Sequence, residues 1–422
     1  MKGTLPRDSL GDYPSFKDTV KHVILVLREN RSFDHYLGAY ERSQHRALGS
    51  DAQNTNPDPS TGHNVARYHT GQYCTAGGNP DHEWNAAHLA FDNGKLDGFV
   101  AASNTDDQNR GGCIAMSYFD RSDLPFYYWL ADNFAISESY FASLLGPTMA
   151  NISYYYNATA CGTTENIETT ASATLSRVPY LNGCPAGSSI FDLLAAHGIP
   201  AQVYNDSPGK LDSAAVGLTH YDPTNVRSIQ DFRDDVTAED AGNGTLADVV
   251  FLEPNYGHLN FVPGSKPQND EHPPSNIQDG QYFVYDIVKT LLAHPRVFSH
   301  TVVFISWDEN GGFYDHVVPP PACEPDGYRP SDFDLKRYGF RVPFFAVSPL
   351  ARARFASQYT ADHTSVLRFI EAWKDLPALT ARDANAWPLL DMFDFSAPAR
   401  DPSSFTPLSE PPVKPCPGPG AQ

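Results

Sequence analysis

The sequence predicts an α/β fold: a doubly wound, largely parallel sheet with helices on both faces. Three observations predict it. Short apolar runs rich in β-branched residues recur along the chain and stop abruptly at polar residues. These runs are apolar at nearly every position rather than at alternate ones, as expected for strands covered on both faces. Helical patterns separate them, and strands alternating with helices build a doubly wound sheet.

The strands come in order. His22–Leu27 runs into Arg28-Glu29-Asn30, and Asp248–Leu252 into Glu253-Pro254-Asn255. Thr301–Ser306 runs into Trp307-Asp308-Glu309, and Val342–Val347 into Ser348-Pro349. Ile190, Leu193 and Leu194 predict a helix before Gly198. Val284, Ile287, Val288, Leu291 and Leu292 predict a second, ending near Pro295, and Val366, Phe369, Ile370 and Trp373 a third. Residues 41–80 and 205–245 are rich in Asn, Asp, Gly, Ser and Thr and read as long excursions over the active face. From Ser396 the chain is Pro-rich and reads as a tail pinned by Cys416. The candidate chemistry spreads from Glu29 to Asp308. The expected organisation is therefore one α/β domain over 1–395 and a tail over 396–422.

The 422-residue chain is 41% hydrophobic and 19% charged, enough to bury a large core. Its net charge of −20 argues against a nucleic-acid partner and against purely electrostatic docking on anionic lipid. Its six cysteines form no CxxC pair, which removes zinc-ribbon and thioredoxin readings. Their even number predicts three disulfides in an oxidising compartment, most simply Cys74–Cys113, Cys161–Cys184 and Cys323–Cys416. No run of about 18 apolar residues predicts a transmembrane segment. Met1-Lys2-Gly3-Thr4 opens no apolar signal region, so a secreted or periplasmic protein with its export signal removed is expected.

In a doubly wound sheet, ligands sit at the carboxyl ends of the strands. Glu29-Asn30 and Asp308-Glu309 both follow buried strands. Adjacent carboxylates there repel each other unless a cation lies between them. Three carboxylates and an amide oxygen make a hard, oxygen-rich site for one divalent ion: Mg²⁺, Ca²⁺ or Mn²⁺, with Zn²⁺ also able to accept such ligands. Gly146-Pro147-Thr148 reads as a helix start whose N–H groups face an anion, with Asn151 one turn on able to donate to it. Thr148 by itself reads as an ordinary helix cap; a hydroxyl beside a divalent ion is more easily deprotonated and becomes a nucleophile. His82, His272, His316 and His363 lie in polar or Pro-flanked segments, each with a structural or a catalytic reading open to it.

Together these motifs resemble the bacterial phosphoesterase family that contains phospholipases C and respiratory-burst-inhibiting acid phosphatases. Glu29-Asn-Arg-Ser-Phe-Asp-His-Tyr36 looks like its N-terminal signature. Asp97-Gly-Phe99, Gly146-Pro-Thr148 with Asn151, Asp270-Glu-His-Pro-Pro274, the run from Trp307 to His316, and the run from His363 to Ile370 follow in family order. The resemblance implies an alkaline-phosphatase-like, three-layer α/β/α sandwich. It implies one metal held by Glu29, Asn30, Asp308, Glu309 and Thr148. His82, Asn151 and His272 match positions that contact phosphate, as Asn30 would from the metal, or that protonate the leaving group. Two departures bear on substrate choice. Ala150 and Ile152 replace a Pro and an Arg of many relatives, and Asn310 stands where many have His.

The expected activity is therefore hydrolysis of phosphoric esters through a phospho-threonine. The substrate is a small phosphate ester or a phospholipid head group. Acid phosphatase is narrowly preferred over phospholipase C acting on phosphatidylcholine or similar diesters, and a non-catalytic phosphate- or metal-binding protein is the reading from another class. Sulfatase chemistry is disfavoured, because no Cys-x-Pro-x-Arg segment is present.

Overall fold

The computed structural model describes residues 16–42, 54–74, 78–103, 112–166, 184, 187–207, 225–244, 246–256, 267–325, 335–414 and 416. We label the eight strands of the main sheet in chain order: β1 His22–Arg28, β2 Ala135–Ser137, β3 Ala201–Asn205, β4 Arg227–Ser228, β5 Val249–Glu253, β6 Thr301–Trp307, β7 Phe344–Val347 and β8 Phe355–Ser357. Their spatial order is β8-β2-β7-β6-β1-β5-β3-β4. All four apolar runs are strands. β1, β5 and β6 are buried at every position, as their unbroken apolar sequence requires.

β7 departs from the parallel expectation, pairing antiparallel with both β6 and β2. A parallel neighbour needs a crossover, usually helical. The described residues between β6 and β7 contain no helix. The other seven strands run one way.

The helices Thr148–Asn157, Ile190–Ala196 and His363–Lys374 pack together, and Pro125–Asn133, Ile229–Asp240, Ile277–Ala293 and Pro295–Phe298 form a second packed group. The sheet lies between them, making the three-layer α/β/α arrangement. The three predicted helices are present. Helix Ile229–Asp240 is a correction to the reading of 205–245 as a surface excursion. Its composition is polar, but Ile229, Phe232 and Val236 face the core, and Ser228 and Asp231 form a capping box. Spaced three or four apart, those apolar residues give a one-sided helix, with polar residues covering the rest of the surface.

The disulfides also differ. Cys161–Cys184 forms as expected, but Cys74 pairs with Cys416, while Cys113 and Cys323 are free. The tail explains the change. Phe405 packs on Phe134, Thr406 accepts from Trp129, and Lys414 bonds to Gln278 and Asn276. Because Cys74 bridges to Asn276, the end of the chain arrives beside Cys74. Among the described residues no helix is long and apolar enough to cross a membrane.

Candidate active site

β1 and β6 are central neighbours, in a register that sets Arg28 opposite Trp307. The ladder continues past both strands: Asp308 N donates to Arg28 O, and Arg31 N donates to Glu309 O, each at 3.0 Å. Glu29-Asn30 and Asp308-Glu309 are therefore brought side by side by backbone pairing alone. Asn30 adopts φ +61, a left-handed conformation that Asn tolerates better than most residues. Gly311 and Gly312, at φ +62 and +71, seat this turn. A Cβ at Gly311 would lie 2.4 Å from the Asn30 carbonyl, and one at Gly312 would lie 2.7 Å from the Asp81 carbonyl.

Each of the four side chains keeps a polar atom pointed inward with nothing bound to it. Glu29 Oε2, Asn30 Oδ1, Asp308 Oδ2 and Glu309 Oε1 are buried and accept no hydrogen bond. The rest of each group is held where the contacts are defined. Asp308 Oδ1 accepts from Asn30 N at 2.9 Å, Glu309 Oε2 accepts from Gly311 N at 2.6 Å, and Asn30 Nδ2 donates to His82 Nε2 at 3.0 Å. A buried acceptor without a partner costs about 1–3 kcal/mol, and more if charged. Four together make a cradle of hard oxygen donors that fits a divalent cation.

The electrostatics agree. Burial, then the charges of Asp270, Asp308, Glu309 and Glu253, push the Glu29 carboxyl well up. Burial lifts Asp308 to about 7 against hydrogen bonds that include one from the Thr148 hydroxyl. Burial and Asp308 raise Glu309 well above the ordinary carboxyl range. With no positive charge among them, these acids hold protons that a cation would displace. Among the described residues, the groups of acids and histidines whose ligand atoms close to within 4.8 Å are Asp34–Asp315–His316 and His69–Asp120–Asp123. The Glu29–Asp308–Glu309 set is wider, and it is the one with unpartnered oxygens.

Thr148 is the first residue of its helix, with Pro147 in the capping position. It is thus not the cap, and its side chain stands near enough to Asp308 to help hold that carboxyl down. Asn151, expected to face phosphate, is turned the other way. Its Oδ1 accepts from Leu144 N, and its Nδ2 donates to the carbonyls of Leu144, Gly146 and Pro147. Its amide is occupied in shaping the loop before Thr148.

His82 and His272 stand with ring centroids 6.0 Å apart. Each turns Nδ1 to a proline carbonyl, Pro80 at 2.8 Å and Pro273 at 2.6 Å. A carbonyl only accepts, so both rings carry hydrogen on Nδ1. His82 Nε2 then accepts from Asn30, and that contact orients the amide with Oδ1 toward the acids.

His316 and His363 hold structure in place. His316 Nδ1 bonds Asp34 at 2.7 Å, and Arg341 pairs with both Asp34 and Asp315 at 2.9 Å. His363 Nε2 donates to the Asp308 carbonyl at 2.6 Å, and burial holds the ring neutral, down to about 4.

Several contributors were missed. Glu271 is a fully buried hub that accepts from Tyr36, Tyr127, Trp307 and Arg28, while its carbonyl takes Arg31. Glu253 ends β5 and accepts from Tyr156 at 2.5 Å and Tyr256 at 2.8 Å. The signal for Glu253 was present: it is an acid directly after a buried strand, as Glu29 nearly is. Arg341 carried no motif signal.

The Phosphoesterase family matches residues 20–377. Phospholipase C A of Mycobacterium tuberculosis is 29% identical, over 95% of this chain and 82% of its own. Phospholipase C B of the same organism is 27% identical, over 92% and 80%. Among solved structures, a protein of the alkaline phosphatase superfamily from Vibrio parahaemolyticus is 11% identical with a TM-score of 0.36, over 68% of this chain and 64% of that one. With the family matched across most of its length, the chain belongs to the phosphoesterase family and is a hydrolase acting on phosphoric ester bonds.

Proposed function

We propose that the chain cleaves phosphodiesters of phospholipid type, with Thr148 as nucleophile. The observation that carries the nucleophile is the first residue of its helix, Thr148, standing near Asp308 at a cluster of four buried oxygens without hydrogen bonds among the described residues. Glu29, Asn30, Asp308 and Glu309, with Thr148, would hold a divalent cation, which supplies Lewis-acid stabilisation of phosphoryl charge and makes a nearby hydroxyl more acidic.

The residues divide the work. Thr148 Oγ attacks phosphorus as its proton passes toward Asp308. The Oγ–P bond forms and the bond to the leaving oxygen breaks, leaving a phospho-threonine. His272 protonates the leaving oxygen through Nε2. His82 is less suited to this, because a proton on its Nε2 would face the Asn30 amide N–H. Water then attacks the phospho-threonine and breaks Oγ–P: its hydroxyl stays on phosphorus, its proton goes to His272 Nε2, and Thr148 Oγ takes back the proton from Asp308.

The names of the relatives, matched over more than nine-tenths of this chain, favour a phospholipase C-type diester. A soluble phosphomonoester is the second reading. It is favoured by the scatter of exposed large hydrophobics, which among the described residues are Tyr68, Leu89, Val318, Tyr359 and Val413. Paired assays on p-nitrophenyl phosphate and its phosphorylcholine ester separate the two. Faster turnover of the phosphorylcholine ester supports the diester, and faster turnover of the monoester overturns it. Mass spectrometry of acid-quenched enzyme should find phosphate on the Thr148 peptide; phosphate on another residue overturns the nucleophile assignment. Two disulfides support a secreted or periplasmic location.

A further inference from the structure

We infer that Asp362 and His363 form a positioning dyad that sets where the Thr148 hydroxyl stands relative to the carboxylate cluster. This rests on the site proposed above. A short parallel pairing sets Ala361 beside Tyr140 and Asp362 beside Phe141, so the dyad lies where the loop to Thr148 begins. Both residues are buried.

Asp362 grips the loop. Its Oδ2 accepts from Ser143 Oγ at 2.8 Å and from Arg382 Nε at 3.3 Å. Arg382 also donates to the Ser143 carbonyl. Beyond Ser143, the Asn151 amide holds the carbonyls of Leu144, Gly146 and Pro147, so the fixed geometry extends to Thr148.

His363 grips the other side. β7 pairs with β6 only as far as Phe344 opposite Ser306, so the Asp308 carbonyl lies beyond that ladder. The imidazole takes the place of a strand, with Nε2–H on the Asp308 carbonyl and Nδ1 facing the Tyr140 hydroxyl at 3.3 Å. Both ring nitrogens are engaged, so His363 acts through Asp308 rather than on substrate. The contacts close a ring. Ser143 leads through the loop to Thr148, Thr148 stands against the Asp308 carboxylate, and the Asp308 backbone returns through His363 and Asp362 to Ser143.

The two grips separate experimentally in the full chain. His363→Leu removes the donor to Asp308, whereas His363→Gln keeps one near the Nε2 position. Calorimetric titration with Mn²⁺ should show affinity about 10–100-fold weaker for His363→Leu, the usual effect of losing a partner behind a metal ligand, and largely restored in His363→Gln. Ser143→Ala should leave Mn²⁺ affinity within about twofold of wild type and lower kcat about tenfold at unchanged KM, because only the loop is released. Wild-type Mn²⁺ affinity in His363→Leu, or wild-type kcat in Ser143→Ala, overturns the proposal. If His363→Leu does not fold, weakened Mn²⁺ binding without loss of fold in Tyr140→Phe supports the dyad, and unchanged binding overturns it. Mn²⁺ binding does not require Thr148 to be the nucleophile, so failure of the nucleophile assignment remains distinguishable.

Discussion

Two buried acid clusters arise from the same two sequence segments and differ in whether their acids are paired, although burial keeps Asp315 raised even beside Arg341. Asp34 and Asp315 are fully buried, but Arg341 bridges them and His316 caps Asp34. Burial alone would raise Asp34, yet His316 and Arg341 hold it below its ordinary value. A few residues earlier in each segment, Glu29, Asp308 and Glu309 have no such partner and are raised instead. The difference separates a structural rivet from a binding site. A buried acid that is paired stabilises one arrangement. One left unpaired is a standing cost unless a ligand offsets it.

The comparison can be broken most sharply at the nucleophile. Thr148→Ala should lower turnover by at least about a thousandfold, measured as steady-state hydrolysis, while leaving Mn²⁺ binding detectable. Next come changes in the two clusters, where opposite signs are expected. Arg341→Met leaves Asp315 without its cation and Asp34 with His316 alone, and should cost about 3–5 kcal/mol in denaturant unfolding. Asp308→Asn removes a charge that has no partner. It should keep or raise the melting temperature of cation-free protein while weakening Mn²⁺ binding. Equal destabilisation by both would erase the distinction.

A smaller effect is expected from pH. Asp308 is raised in the folded state from an ordinary 3.8 to about 7. Its contribution is therefore fully present below 3.8 and is lost as pH rises through about 7. Cation-free protein should melt at lower temperature as pH rises across that window, and added divalent cation should reverse the trend. A melting temperature that climbs over this range would contradict the raised carboxyls. The mildest prediction is Asn151→Ala, which loosens the loop before Thr148. It should reduce kcat about tenfold, without the change in Mn²⁺ affinity expected of a ligand.

Much of this was legible in the sequence because local rules govern it. Continuous β-branched runs cannot lie at the surface, so His22–Leu27 and Thr301–Ser306 had to be buried strands. An acid directly after such a strand must have a reason to be there, which singled out Glu29 and Asp308. Helix Ile229–Asp240 escaped because most of its residues face solvent, leaving three apolar contacts to carry the pattern. The antiparallel return of β7 escaped because an apolar run has no direction. Asn151 was legible as a polar residue near Thr148, but nothing local says which way an amide turns.

By itself the sequence determined four strands of the main sheet, the three predicted helices, and the pairs Glu29-Asn30 and Asp308-Glu309, because burial and periodicity act between residues close in the chain. Tertiary structure alone decided that β1 and β6 would be neighbours in a register setting Glu29 beside Asp308. It decided that Arg341 would pair with both acids of one cluster while, among the described residues, no arginine or lysine pairs with the other, and that Cys74 would meet Cys416 rather than Cys113. Each of those outcomes joins groups tens or hundreds of residues apart. Their energies depend on distance and burial in the folded state, and neither is written in the spacing of the chain.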